Sequence, residues 1–246
     1  MQMFRSFLAV LAVTMGVSTL RADVIIDDFT VTTPFTSYSL AAPVPSTFSQ
    51  TDAIGGGITR GVVVTQVVNS STPLSGDQTS GTLGAGALPA SLGNGFTMST
   101  TVFATANAVL SYTYSSAADL VTPGATAIQF RTVQSDLNVP YTVSITGSSG
   151  TVTVGGLIPA SNTSFPATIS SPLSSFSGAG LDGVTNVTLS INTGSNAIQS
   201  ADLALTDLRF VAPPPTSVPA PAAVFLLLAA APALGFRSVR SKLGLA

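Results

Sequence analysis

Side chains that alternate with a period of two residues constrain the fold of this chain more than any other feature. In residues 141–154, Tyr141, Val143 and Ile145 alternate with small hydroxyl residues, and the same pattern resumes after Gly147-Ser148-Ser149-Gly150. Successive side chains of a strand point to opposite faces, so this pattern predicts two half-buried strands. The glycine-bounded connection predicts a β-hairpin with a four-residue loop.

The same alternation recurs along residues 23–211. "NVTLSIN" places Val187, Leu189 and Ile191 on one face of a strand. Further strands are predicted at residues 61–68, 96–104, 108–116 and 127–133, separated by clusters of Gly, Pro and Ser. No stretch has a convincing helical period. Many short strands of this kind predict an all-β fold, a β-sandwich or jelly roll, for the body at residues 23–211.

The closing stretch "ADLALTDLRFV" (201–211) changes phase within one predicted strand. Leu203 and Leu205 share one face, whereas Leu208 and Phe210 share the other. A regular strand cannot turn both pairs inward. One extra residue reverses the phase, so we predict a β-bulge near Thr206 and Asp207.

Charge and composition exclude several classes of function. Between Asp23 and Ser217 there are ten Asp and three Arg, a net charge of 3 − 10 = −7. Such a body is expected to repel nucleic acid, whose binding depends on Lys and Arg contacts to phosphate. The chain has no His, Cys or Glu, which excludes Ser-His-Asp and Cys-His catalysis and zinc sites built on Cys or His. We therefore expect no enzyme activity; a hydrolase that uses paired aspartates such as Asp27 and Asp28 is the least favoured reading.

The N-terminus has the pattern of a secretory signal peptide at residues 1–22. Arg5 provides the positive region, residues 7–17 an apolar region, and Ala22 a small residue before the predicted cleavage site. The alternative is a buried N-terminal helix.

The C-terminus is tripartite. A proline-rich linker at residues 212–217 should be extended. Residues 218–236 are nineteen uncharged residues, just enough for a helix to cross about 30 Å of hydrocarbon. The basic residues Arg237, Arg240 and Lys242 follow, and such residues stay on the cytoplasmic side. This order predicts an exported body with a C-terminal transmembrane segment.

These features of residues 218–246 resemble the PEP-CTERM sorting signal of bacterial envelope proteins, in its VPxPA variant. The motif residues are Val218, Pro219, Ala220, Pro221 and Ala222, with Ala220 at the position of the name-giving Glu. The resemblance implies that an exosortase reads the tail, cleaves near the motif and releases or re-anchors the protein. A permanent single-span anchor is the alternative.

The body resembles the galactose-binding-like jelly rolls of carbohydrate-binding modules. The resemblance depends on an opening "DDF" (27–29), a "PLSSF" stretch (172–176) before the penultimate strand, and a closing "DLRF" (207–210). These motifs are short and degenerate, so the resemblance implies the fold more than a ligand.

Two sets of residues are candidate ligand sites. Asp27 and Asp28 open the body and Asp202 and Asp207 close it, so pairing of the first and last strands would bring together carboxylates that suit calcium. The alternative is that these aspartates lie in turns or solvated strand ends. Tyr112 and Tyr114 share one strand face and could stack on a sugar ring; the alternative is an ordinary buried or cross-strand pair.

Taken together, the sequence predicts an exported bacterial protein of the cell envelope or extracellular matrix with a structural or adhesive role. The alternative is a carbohydrate-binding module for exopolysaccharide. A glycan array, with Tyr112 and Tyr114 changed to Ala, would separate the two.

Overall fold

Two antiparallel β-sheets form the part of the chain that the computed structural model describes, residues 23–31, 36–41, 46–68, 78–88, 93–102, 104–121, 124–161, 166–194 and 197–212. The strands in those residues are β1 (Val24–Asp27), β2 (Thr36–Ala41), β3 (Ser46–Gly55), β4 (Ile58–Val68), β5 (Gln78–Gly84), β6 (Gly95–Thr100), β7 (Ala104–Ala118), β8 (Ala127–Ser135), β9 (Val139–Gly147), β10 (Gly150–Ile158), β11 (Ala167–Pro172), β12 (Val184–Ile191) and β13 (Leu203–Val211). A short 3-10 helix, Leu173–Ala179, follows β11.

The strands are arranged in two sheets that share one core. Sheet A has the order β11-β8-β13-β6-β5-β2, and β1 also pairs with β13. Sheet B has the order β10-β9-β12-β7-β4-β3. From β7 to β13, every connection except β9–β10 crosses from one sheet to the other, as in jelly rolls. The predicted all-β sandwich is therefore confirmed.

Alternation along each strand builds the core between the sheets. In β12, Val187, Leu189 and Ile191 are buried, as the sequence predicts. The hairpin of β9 and β10 also forms, but Gly147 pairs with Gly150, so its loop has two residues rather than four. Asn192 follows β12, and its buried side-chain amide forms hydrogen bonds with the backbone of Ala106 and Ile198.

The predicted bulge in the closing strand is present. Along β8, Leu205 pairs with Thr132 and Asp207 with Arg131, so Thr206 is the extra residue. Leu203, Leu205, Leu208 and Phe210 are all at least 98% buried. The bulge thus turns both apolar pairs into the core and leaves Asp207 and Arg209 on the outer face of sheet A.

The predicted signal peptide (1–22), the linker beyond Ala212 and the sorting signal (218–246) lie outside the described residues. Within the described ranges, no helix has the length and apolar character needed to cross a membrane.

Candidate functional site: a polar cleft on the outer face of sheet A

Three neighbouring strands, β11, β8 and β13, present polar side chains on the outer face of sheet A. In β8, Gln129 and Arg131 alternate with the buried residues Ile128 and Phe130. Packing in the core fixes Ile128 and Phe130, and the backbone between them therefore holds Gln129 and Arg131 on the outer face. The bulge at Thr206 gives β13 the matching phase.

The strand register sets these side chains in two rows. Arg131 lies between Thr168 of β11 and Asp207 of β13. Gln129 lies between Ser170 and Arg209, one step along the strands. Directly opposed side chains on neighbouring antiparallel strands are about 4.5–5.5 Å apart at Cβ. Each row can therefore contact one small ligand at several points.

A cleft of about 330 Å³ opens on this surface. It is lined by Gln129, Arg131, Pro166, Thr168, Asp207 and Arg209. Its volume is at the lower end of the roughly 300–1,000 Å³ of small-molecule sites. Pro166 supplies an apolar ring beside an otherwise polar lining.

The two arginines of the cleft differ in their ion pairing. Arg209 Nη2 hydrogen-bonds to Asp207, and Arg209 Nη1 lies 3.6 Å from Asp23 Oδ2. The hydrogen bond that Arg209 donates to Asp207 is the largest cause of the raised pKa of Arg209. Arg131 is exposed and forms no ion pair with any residue in the described part of the chain. Its guanidinium therefore has donors available to a ligand.

The cleft combines hydrogen-bond donors and acceptors on a rigid surface. Arg131 donates, Asp207 accepts, and the Gln129 amide does both; Gln129 Nε2 donates to Ser170 Oγ at 3.3 Å. Planar guanidinium, amide and carboxylate groups suit ligands with adjacent hydroxyls, each of which can donate and accept. Among the described residues that line the cleft, Asp207 is the one carboxylate and it is bound to Arg209, whereas a typical glycosidase site has two carboxylates.

The four aspartates predicted as calcium ligands do not converge. β1 and β13 pair as expected, with Asp27 opposite Leu208, but Asp27 points into the core whereas Asp207 faces outward. Asp28 accepts hydrogen bonds from Thr30, and Asp202 Oδ1 accepts one from the Thr100 amide at 3.2 Å. No group of three potential metal-ligating side chains occurs among the described residues. Because Asp27 of β1 and Asp207 of β13 lie on opposite faces of sheet A, they cannot bind the same calcium ion, although their strands are paired.

Asp27 instead belongs to a cluster buried between the sheets. Arg60 Nη1 donates to Asp27 Oδ2 at 2.9 Å, and Arg60 Nη2 donates to Asp52 Oδ2 at 2.8 Å. The Tyr112 hydroxyl donates to Asp27 Oδ2 at 3.1 Å. The Arg60 guanidinium also lies 5.5 Å from the centre of the Phe29 ring, which is within cation–π range. Sheet A supplies Asp27, and sheet B supplies Arg60, Asp52 and Tyr112, so the cluster ties β1 to the opposite sheet.

The prediction that Tyr112 and Tyr114 form a sugar-stacking platform is wrong for Tyr112, because that side chain is fully buried. The two tyrosines share a face of β7, as the spacing indicates, but that face is the inner one. Burial raises the pKa of the Tyr112 hydroxyl well above 10, and it raises the pKa of Tyr114 to about 12. Tyr114 is partly buried and packs against the core.

The sequence contains a signal for the cleft that lies in no recognised motif. In "AIQFRTV", Gln129 and Arg131 fall opposite Ile128 and Phe130, so the pattern already placed them on a solvent-facing surface. What the pattern does not contain is the register that aligns β8 with β11 and β13.

No protein-family model matches this chain, and no curated protein sequence matches it. Among solved structures, the family 11 carbohydrate-binding module of the cellulosomal cellulase Lic26A-Cel5E of Clostridium thermocellum is 16% identical, with a TM-score of 0.41. The match covers 78% of this chain and 95% of the module. TmCBM61 in complex with β-1,4-galactotriose is 10% identical, with a TM-score of 0.30, covering 72% of this chain and 87% of that one.

Larger proteins match over only part of their length. The structure of PfGH50B is 12% identical, with a TM-score of 0.35; the match covers 49% of this chain and 20% of PfGH50B. At such identities and TM-scores, these likenesses say nothing of what this chain binds or does.

Proposed function

We propose that this chain is an exported polysaccharide-binding protein whose β-sandwich binds a glycan in the cleft between β11, β8 and β13. The observation that carries this proposal is the cleft itself: a guanidinium with no ion pair to any described residue, an amide, a hydroxyl and a carboxylate, arranged in register on one rigid surface. A site on strands of a packed sheet positions its polar groups more firmly than a loop does.

Binding rather than catalysis fits the chemistry of the cleft. Asp207 is its one carboxylate and is engaged by Arg209. The chain has no His, Cys or Glu to act as a base or nucleophile. We therefore propose a binding protein without enzyme activity, and without a cofactor that the binding requires.

Export and sorting remain part of the proposal. The pattern of residues 1–22 supports secretion, and the tail at 218–246 supports processing by an exosortase and a place in the cell envelope or extracellular matrix. The proposed partner of the body is then an exopolysaccharide. Calcium binding stays a prediction for which the four aspartates offer no common site.

A structural or adhesive role is the second candidate, and the outer face of sheet B favours it. Among the described strands of that sheet, the only charged residues are Asp52 and Arg60, and both point inward. The outer face is instead dense in Ser and Thr, including the hydroxyl pairs Ser144–Thr153 and Thr146–Thr151. A face without charge is one place where copies of an acidic body can approach without repulsion.

A glycan array probed with the full chain tests the proposal. We expect specific binding that falls when Gln129 or Thr168 is changed to Ala and persists in the matched control Thr153→Ala on the opposite sheet. A chain that binds no glycan, or that loses binding equally with Thr153→Ala, would refute the cleft. Concentration-dependent self-association with no glycan binding would favour the structural role.

A further inference from the structure

Both arginines that reach the surface in the described part of the body line one cleft: Arg131 is exposed and Arg209 is half-buried. The body contains three arginines, and Arg60 is fully buried between Asp27 and Asp52. Arg131 and Arg209 both line the cleft, together with one acidic residue, Asp207. The lining residues therefore have a formal charge of 2 − 1 = +1, or 2 − 2 = 0 when Asp23, which lies 3.6 Å from Arg209, is counted with them; the net charge of the body is −7.

Both nearby carboxylates pair with Arg209, so Arg131 is the cation of the cleft that has no ion pair among the described residues. Asp207 lies directly across from Arg131 in the strand register, yet its carboxylate bonds to Arg209, its neighbour along β13. Asp23 also approaches Arg209, not Arg131. Arg209 therefore forms ion pairs with two carboxylates, whereas Arg131 is exposed and forms none with the described residues.

The rest of the acidic body does not cancel an attraction at the cleft. Charges in solvent are largely screened beyond about 8 Å at physiological ionic strength. A ligand group that contacts Arg131 therefore responds mainly to the residues around the cleft. Arg presents a planar fork of donors that matches the two oxygens of a carboxylate or a sulfate group.

From this arrangement we infer that the glycan bound in the cleft is acidic, and that Arg131 binds its anionic group. The inference rests on the proposed function and deepens it: it names polysaccharides that carry carboxylate or sulfate groups. Gln129 precedes Arg131 by two residues on β8, and Thr168 lies opposite Arg131 on β11. These two side chains then contact hydroxyl groups of the glycan next to its anionic group.

Affinity electrophoresis of the full chain tests the inference with pairs of polymers that share a backbone, one member anionic and the other neutral. The gels contain polygalacturonate or its fully methyl-esterified form, and dextran sulfate or dextran. We expect retardation by at least one anionic polymer and little by its neutral counterpart. The two pairs distinguish a carboxylate ligand from a sulfate ligand.

Three variants identify the residue. Arg131→Gln keeps a planar amide but removes the charge, and we expect affinity for the anionic polymer to fall about tenfold or more, as for loss of a charge-assisted hydrogen bond. Arg131→Lys keeps the charge without the fork, and we expect an intermediate loss. Thr59→Asp changes the net charge by the same amount as Arg131→Gln, but on the outer face of sheet B, and we expect less than about a twofold effect.

The outcomes separate this inference from the proposed function. Equal binding of the esterified and acidic polymers, or unchanged binding in Arg131→Gln, overturns the inference. If neutral glycans bind on the array and neither anionic polymer retards the chain, the inference fails while the proposed function stands. If no glycan or polymer binds in either experiment, the proposed function fails and the inference fails with it.

Discussion

Arg60 Nη1 lies 2.9 Å and 3.2 Å from the two carboxylate oxygens of Asp27, in the space between the two sheets. Both side chains are at least 98% buried. Each charge compensates the other in the core, because burying an isolated charge costs a large free energy. Asp27 is also hydrogen-bonded by the Phe29 amide at 2.8 Å and by Tyr112, so the pair is embedded in a network.

Replacing Arg60 by Met should destabilise the protein strongly at pH 7. Met fills much of the same space, but it leaves the Asp27 carboxylate buried without its cation. Removing one partner of a buried ion pair typically costs 3–5 kcal/mol, and we expect a loss of about that size in urea denaturation. The double variant Arg60→Met, Asp27→Asn should lose less than Arg60→Met alone. If it loses more, the uncompensated carboxylate is not the cause.

The cost of Arg60→Met should depend on pH in a defined direction. Burial raises the pKa of Asp27 above its ordinary 3.8, although Arg60 and the hydrogen bonds oppose that rise. The Asp27 carboxyl group therefore binds its proton more tightly in the folded chain than in the unfolded chain. The contribution of that proton to stability is complete below about pH 3.8 and is lost as pH rises through the folded-state pKa.

Without Arg60, the opposing attraction is gone and the pKa of Asp27 should rise further. The difference in unfolding free energy between the wild-type chain and Arg60→Met should therefore shrink from pH 7 towards pH 4. Urea denaturation across that range measures it. Compared with the wild-type chain, the double variant with Asp27→Asn should show no such narrowing, and a narrowing of equal size would assign the effect to other groups.

The Tyr112→Phe variant tests whether Tyr112 stabilises the core through a buried hydrogen bond or forms a platform for a ligand. The change removes the hydroxyl that donates to Asp27 and keeps the ring in the core. Hydrogen bonds to charged groups contribute about 1.5–3 kcal/mol, so we expect a stability loss in that range. Glycan binding, measured where the variant is fully folded, should be unchanged. A selective loss of binding at full stability would restore the platform hypothesis.

Gly95→Ala should disturb the contact between β6 and β13. A Cβ at Gly95 would lie 2.3 Å from the Leu205 carbonyl oxygen and 2.6 Å from a Leu88 side-chain carbon. The carbonyl belongs to a paired strand and cannot move freely, so we expect a loss of about 1–3 kcal/mol, as for other overpacked positions. Gly178→Ala is the control, because its nearest contact would be an ordinary 3.4 Å. Equal denaturation midpoints for the two variants would contradict the steric argument.

Side-chain alternation was enough to predict the fold class but not the partners of the charged residues. The strands at β4, β6, β7, β8, β9, β10, β12 and β13 follow from alternating apolar residues. The sequence does not predict four strands in which Ser, Thr and Gly are as frequent as in loops: β2 (Thr36–Ala41), β3 (Ser46–Gly55), β5 (Gln78–Gly84) and β11 (Ala167–Pro172). Arg60 alternates in step with Val62 and Val64, which indicates that its side chain faces the core. Arginine is nevertheless rarely buried, so the residue type alone predicts a surface position.

The candidate site was less predictable than the fold, because it depends on register between strands distant in sequence. Thr168, Arg131 and Asp207 come from three strands, and no local pattern states that they form one row. Asp207 was singled out from its sequence position, as a partner for Asp27. The bulge that was predicted from the leucine phases is what turns Asp207 away from Asp27 and towards Arg131.

Deleting Thr206 tests whether the bulge serves only to set the phase of β13. Thr206 is the residue without a counterpart on β8, so removing it leaves Leu205 opposite Thr132 and Asp207 opposite Arg131. Leu203, Leu205, Leu208 and Phe210 would then alternate regularly on the inner face. We expect the deletion to change the free energy of unfolding by less than about 2 kcal/mol, an ordinary effect of a single mutation.

Deleting Arg209 is the matched control, because it removes one residue of the same strand without removing the bulge. Phe210, which is fully buried, would then face solvent, and we expect a loss of about 3–5 kcal/mol or more, as for truncation of a buried Phe. Urea denaturation of both variants decides the matter. Comparable losses in the two variants would mean that Thr206 stabilises β13 in some way beyond setting the phase of its side chains.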